Sequence, residues 1–121
     1  MTTVRDVMSK DIVTVEPSAT IAGAATVMGA HHVGSALVIE DGKPAGIFTE
    51  RDILRALAAD FDAASHPVAQ WMTRDPVTVD AETDVRDARD LMLESGFRHL
   101  PVTDGGELVG VVSIRDLSRA G

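Results

Sequence analysis

The feature that most constrains this chain is that it is written twice. Laid with Met8 over Met72, the sequence matches itself without a gap from Val4 over Val68 to Ala56 over Ala120. Identical pairs run the whole way, among them Asp11/Asp75, Thr14/Thr78, Ala24/Ala88, Met28/Met92, Gly46/Gly110 and Asp52/Asp116. A repeat in such a register means one supersecondary unit used twice, because a unit this short cannot bury its apolar face alone. The halves are expected to share a fold and to be related by an approximate two-fold axis. The first repeat is assigned to 1–58 and the second to 68–121. Between them, 59–67 reads as a small-residue linker closed by Pro67.

Each repeat opens with a short helical turn, Val4 to Met8 and Val68 to Met72. A β-branched strand follows, Ile12–Val15 and Val77–Val79. Thr20 and Asp84 suit the N-cap of an amphipathic helix. That helix carries Ile21, Ala24, Ala25 and Met28 in one copy and Val85, Ala88 and Met92 in the other, at helical spacing. Gly96 stops the second copy. Ser35–Ile39 and Ala45–Phe48 then read as a hairpin turning at Asp41-Gly42, matched by His99–Thr103 and Leu108–Val112 turning at Asp104-Gly-Gly106. A second helix begins near Asp52 and Asp116. The expected fold class is mixed α/β (α+β): two pseudo-symmetric β-α-β-β-α repeats forming one module.

Where the hairpin runs into that last helix, the same corner occurs twice, Gly46-Ile-Phe-Thr-Glu-Arg-Asp52 and Gly110-Val-Val-Ser-Ile-Arg-Asp116. Two readings fit it. Thr49-x-x-Asp52 and Ser113-x-x-Asp116 have capping-box spacing, with Asp in place of Glu or Gln, so each pair can close a helix start. The same groups can also serve a ligand. A hydroxyl bonds a sugar or phosphate oxygen, a carboxylate accepts both hydroxyls of a vicinal diol, and a strand glycine lets another group approach the backbone.

The duplicated unit, the corner, and the segment Arg98-His-Leu-Pro-Val102 together resemble a tandem pair of cystathionine-β-synthase (CBS) domains, a Bateman module, over Val4 to Ala120. The resemblance implies a cleft between the repeats that takes an adenosine-containing ligand: AMP or ATP first, ADP, S-adenosylmethionine or NAD(H) in other members. It implies that Asp116 takes the ribose hydroxyls, that Ser113 contacts ribose or phosphate, and that Arg98 and His99 take phosphate. Lys10 to Ile12 and Gly34-Ser35 would face them. The pseudo-symmetric site would use Thr49 and Asp52, with Arg74 to Pro76 opposite. There the positions matching Arg98 and His99 are Gly34 and Ser35, which carry no charge, so the two sites should differ. Family members commonly pair into dimers, and the Ala and Met helix faces suggest a homodimer here. The rival reading is a ligand-free protein–protein interaction or dimerisation module.

The remaining composition narrows the function class. A formal net charge of −8 argues against nucleic acid and anionic membrane as partners. With no cysteine there is no disulfide framework and no thiolate chemistry. The N-terminus lacks the apolar run of a signal peptide, and the expected location is cytoplasmic. His31-His32 are adjacent, so on a helix they do not face one another, and no ligand set completes a metal site around them. No nucleophile elbow, Walker loop or dinucleotide fingerprint occurs. The expectation is a regulatory module acting on an unidentified partner protein, with no catalytic residues, no metal and no required cofactor. Trp71, the only tryptophan, is expected to pack against the first helix.

Overall fold

Both long helices start where the sequence supplies a cap. The structure, a computed structural model, describes residues 1–120. Helix α2 (Ile21–His31) begins at Thr20, whose hydroxyl oxygen accepts the Gly23 N–H. Helix α4 (Val85–Ser95) begins at Asp84, which accepts the Arg86 N–H, and ends at Gly96 with φ 78°. The hairpin turns also follow their chemistry. Asp41 and Gly42 have φ of 53° and 77°, and Gly105 and Gly106 have 60° and 87°, the paired positive values of a tight two-residue turn.

The chain divides into two compact units. Unit 2 is Val13–Pro76; unit 1 is Met1–Ile12 together with the chain from Val77 onward. In unit 2, β1 (Thr14–Val15) runs parallel to β2 (Ser35–Glu40), with Thr14 opposite Leu37. Strand β2 pairs antiparallel with β3 (Lys43–Thr49), with a bulge after Val38. Strand β3 leads directly into α3 (Glu50–Ala59) and pairs on its far edge with β4 (Thr73–Arg74). Unit 1 repeats the pattern. Strand β5 (Val79–Asp80) lies parallel to β6 (His99–Asp104), which pairs antiparallel with β7 (Glu107–Ser113), bulged after Val102; α5 (Ile114–Ala120) follows. The edge that β4 fills in unit 2 is filled in unit 1 by Ser9, bridged to Val111 by two backbone bonds of 2.8 and 3.0 Å just after α1 (Val4–Val7). The strands ahead of the long helices are shorter than their β-branched runs suggest, since Ile12, Val13, Val77 and Thr78 lie outside them.

These units do not coincide with the sequence repeats. The opening segment of each repeat completes the unit built mainly from the other. Val4 and Val68 occupy matched positions, and both are fully buried, Val4 in the core of unit 1 and Val68 in that of unit 2. The interval 59–67 lies within unit 2. Phe61–Ser65 form a 3-10 turn that buries Ala63, and His66 C=O accepts the Ile21 N–H.

The helix faces on which a homodimer was expected are core. Ala24, Met28, Ala88 and Met92 are at most 3% exposed and Ala25 is half-buried. Helical spacing names a buried face without saying what buries it, and here each unit's own sheet and helices do so. The outward apolar side chains are others, notably Leu54, Leu57 and Phe61 in unit 2 and Leu93 in unit 1. Trp71 is half-buried against the core of unit 2, with the Arg55 guanidinium of α3 over its ring, 6.0 Å from the centroid. No helix among the described residues is long and apolar enough to cross a membrane.

Candidate functional site

Each corner is built by a strand that stops and a helix that starts without a spacer. Thr49 ends β3 and caps α3; Ser113 ends β7 and precedes α5. Backbone bonds fix both joints: Glu50 N–H donates to Gly34 C=O (3.0 Å), and Ile114 N–H donates to Arg98 C=O (2.8 Å). The ladder then sets Ser35 opposite Thr49 and His99 opposite Ser113. In this way the entry of each hairpin is held beside the hydroxyl residue at its exit.

The capping reading holds at both corners. Thr49 N–H donates to Asp52 Oδ2 (2.9 Å) and Asp52 N–H returns to Thr49 Oγ1 (3.4 Å). Ser113 N–H donates to Asp116 Oδ2 (2.8 Å) and Asp116 N–H returns to Ser113 Oγ (3.1 Å). A third box of this kind stands at Thr3 and Asp6, ahead of α1, with Thr3 N–H 2.9 Å from Asp6 Oδ2. The hydroxyl-x-x-Asp spacing is therefore a local device in this chain, and by itself it does not mark a ligand site.

The two corners part at the second carboxylate oxygen. Asp52 is 4% exposed. Its Oδ2 also takes the Thr49 hydroxyl (3.2 Å), and its Oδ1 takes Arg55 Nη1 (3.0 Å). Asp116 is half-buried. Among the described residues it uses Oδ2 alone, and no cation or N–H reaches Oδ1. A carboxylate has about four acceptor positions, so the Asp116 carboxylate can cap its helix and still accept a diol.

The strand glycines have a reason other than a ligand. A Cβ on Gly110 would lie 2.8 Å from Ser9 O and 2.7 Å from Met8 Sδ; one on Gly46 would lie 2.8 Å from Thr73 O and 2.7 Å from Met72 Sδ. The group that approaches the backbone is the chain itself, in the segment that leads to Lys10 and to Arg74.

The structure groups the sequence candidates by unit. Unit 1 holds Lys10, Ile12, Arg98, His99, Ser113 and Asp116; unit 2 holds Gly34, Ser35, Thr49, Asp52, Arg74 and Pro76. Each set draws on both sequence repeats. Lys10, Arg74 and Arg98 are exposed, Ile12, Pro76 and His99 are half-buried, and Ser35 is 7% exposed. Sequence reasoning missed Arg55. Its signal was present: Arg55 falls over Arg119 in the repeat, whereas Trp71 falls over Val7. No group of three or more His, Cys, Asp or Glu side chains able to hold a metal occurs among the described residues.

Comparison with known proteins agrees with this architecture. A family model described as the CBS domain matches residues 4–59 and 68–121. The crystal structure of the CBS-domain containing protein ATU1752 from Agrobacterium tumefaciens superposes with a TM-score of 0.91 at 35% identity, covering 98% of each chain. The CBS domain pair of protein MJ0100, in complex with 5′-methylthioadenosine and S-adenosyl-L-methionine, gives 0.87 at 29% identity, covering 98% of this chain and 94% of that one. CBSX2 in complex with AMP gives 0.79 at 29% identity, with the same coverage.

Proposed function

The chain belongs to the CBS-domain family, as a tandem pair, and from that premise we propose that it is a regulatory module that binds an adenosine-containing ligand through unit 1. The observation that carries this reading is the carboxylate of Asp116, which caps α5 with one oxygen and keeps the other open among the described residues. Asp116 accepts the ribose 2′- and 3′-hydroxyls, and Ser113 contacts ribose or phosphate. Arg98 and His99, held at the entry of β6 beside Ser113, take the phosphate. Lys10 to Ile12 line the base. AMP or ATP is the favoured ligand, in keeping with the AMP and S-adenosylmethionine complexes of the two neighbours. No cofactor is required, and the module signals to a partner protein in the cytoplasm rather than turning over a substrate.

The corner of unit 2 should contribute little. Gly34 and Ser35 replace the basic pair, and Arg55 already occupies the carboxylate of Asp52. Titration calorimetry with AMP should therefore show one dominant site per chain. Two sites of equal affinity would refute the asymmetry, and no heat at any accessible concentration would favour the ligand-free module. That second reading has its own support, since all three hydroxyl-x-x-Asp boxes are satisfied as helix caps.

A homodimer belongs to the same proposal, now resting on Leu54, Leu57 and Phe61, which are 71%, 44% and 87% exposed, rather than on the buried Ala and Met faces. Sedimentation at roughly tens of micromolar, where association would couple to concentration, should show the dimer. A monomer throughout would remove it.

A further inference from the structure

The two corners carry the same arginine, yet among the described residues only one of them uses it on its carboxylate. Arg55 and Arg119 stand at matched positions, three residues past Asp52 and Asp116. Arg55 Nη1 lies 3.0 Å from Asp52 Oδ1 and its side chain is 59% exposed, against 6% for Asp52. The pair thus joins an exposed guanidinium to a buried carboxylate. Among the described residues Arg119 makes no such pair with Asp116. The difference lies one layer further out. Trp71 lies under the Arg55 guanidinium, 6.0 Å from ring centroid to Cζ, within reach of a cation–π attraction. In unit 1 the matched position is Val7, which has no ring face to offer. Among the described residues the indole Nε1 of Trp71 is buried without a hydrogen-bond partner, so packing and the arginine hold the ring, not a polar tether of its own.

We propose that Trp71 and Arg55 form a latch that closes the Asp52 carboxylate to outside diols, and that this pair sets which corner of the module takes a ribose. A planar guanidinium suits the task. It stacks on an aromatic face and donates to a carboxylate at once. It also satisfies the acceptor that a ribose hydroxyl would need. The proposal rests on the reading of the motif aspartate as a ribose acceptor, and it adds that the identity of the residue at position 71 decides whether the arginine is held in place.

The test is a calorimetric titration with adenosine, which carries the diol and no phosphate, and in parallel with AMP. Wild type, Arg55→Gln, Trp71→Val and the double variant Arg55→Gln/Asp52→Asn are compared. Arg55 is exposed, so Arg55→Gln should remain folded, which a thermal melt checks. Arg55→Gln should gain one site per chain over wild type, and Asp52→Asn should remove the gained site. The number of sites in wild type reports on Asp116, and the gain over wild type reports on the latch. One site in wild type with no gain in Arg55→Gln overturns the latch and leaves the Asp116 reading standing. No site in wild type with one gained in the variant upholds the latch and removes the Asp116 reading. No binding in either overturns both. Trp71→Val should reproduce the gain. If Arg55→Gln adds a site and a folded Trp71→Val does not, the ring is not what holds the arginine, and that part of the proposal falls.

Discussion

Asp116→Ala should weaken AMP binding by about tenfold or more while leaving the free protein nearly as stable as before. The affinity loss follows from removing a charged acceptor of two ribose hydroxyls, since hydrogen bonds to charged groups contribute about 1.5–3 kcal/mol, which corresponds to at least about tenfold. The stability cost is small because most of the corner survives. The Asp116 N–H still donates to Ser113 Oγ (3.1 Å), and only the Ser113 N–H loses its acceptor, a cap worth about 1 kcal/mol. Asp116→Asn keeps an acceptor for that N–H and should still weaken the diol contact.

A ligand analogue separates the contact from general damage. A 2′,3′-dideoxy nucleotide should bind wild type poorly and be almost indifferent to Asp116→Ala, because a contact removed from one side cannot be lost again from the other. Asp52→Ala supplies the internal control. That carboxylate is committed to Thr49 and Arg55, so its removal should lower the melting temperature and leave AMP affinity close to wild type. If Asp116→Ala behaves like Asp52→Ala, losing stability but not affinity, Asp116 is a helix cap and nothing more.

The sequence made local chemistry legible and left partner choice hidden. Thr20, Asp84, Gly96 and the Asp41-Gly42 turn each act within a few residues of themselves, so their roles could be read before any fold was known. The corners were legible for the same reason, down to the reciprocal bonds of Thr49 with Asp52 and Ser113 with Asp116. The exchange of opening segments was not. A repeat register says that Val4 and Val68 are equivalent, but it is equally satisfied whichever sheet each one covers. The two-residue strands β1 and β5 were overestimated on similar grounds. β-branched residues favour extended backbone, but a ladder lasts only as long as a neighbour runs alongside. The inequality of the corners lay in Trp71 against Val7 and in what Arg55 reaches, a tertiary matter that a comparison of motif residues alone passes over.

The strand glycines yield the largest stability effect. Gly110 pairs with Val102 in the β6–β7 ladder at the bulge, and a Cβ there would lie 2.8 Å from Ser9 O and 2.7 Å from Met8 Sδ. The thioether can swing away; the carbonyl cannot move freely, because Ser9 exchanges two backbone bonds with Val111, at 2.8 and 3.0 Å. Gly110→Ala must therefore push the opening segment off β7 or distort the strand. Overpacking of this kind costs about 1–3 kcal/mol, roughly 5–15 °C in melting temperature for a chain of this size. Gly46→Ala should behave alike, since Thr73 O and Met72 Sδ stand at the same distances from it. The displaced segment leads to Lys10, so Gly110→Ala should also lower AMP affinity, whereas Gly46→Ala should not. Gly29→Ala gives the opposite sign. It lies within α2 with nothing inside 4 Å of the added carbon, and alanine there should stabilise by about 0.5–1 kcal/mol through helix propensity. Thermal melts of the three variants decide the matter. Should Gly110→Ala and Gly46→Ala melt within a degree of wild type, the glycines are not there to admit the chain's own backbone.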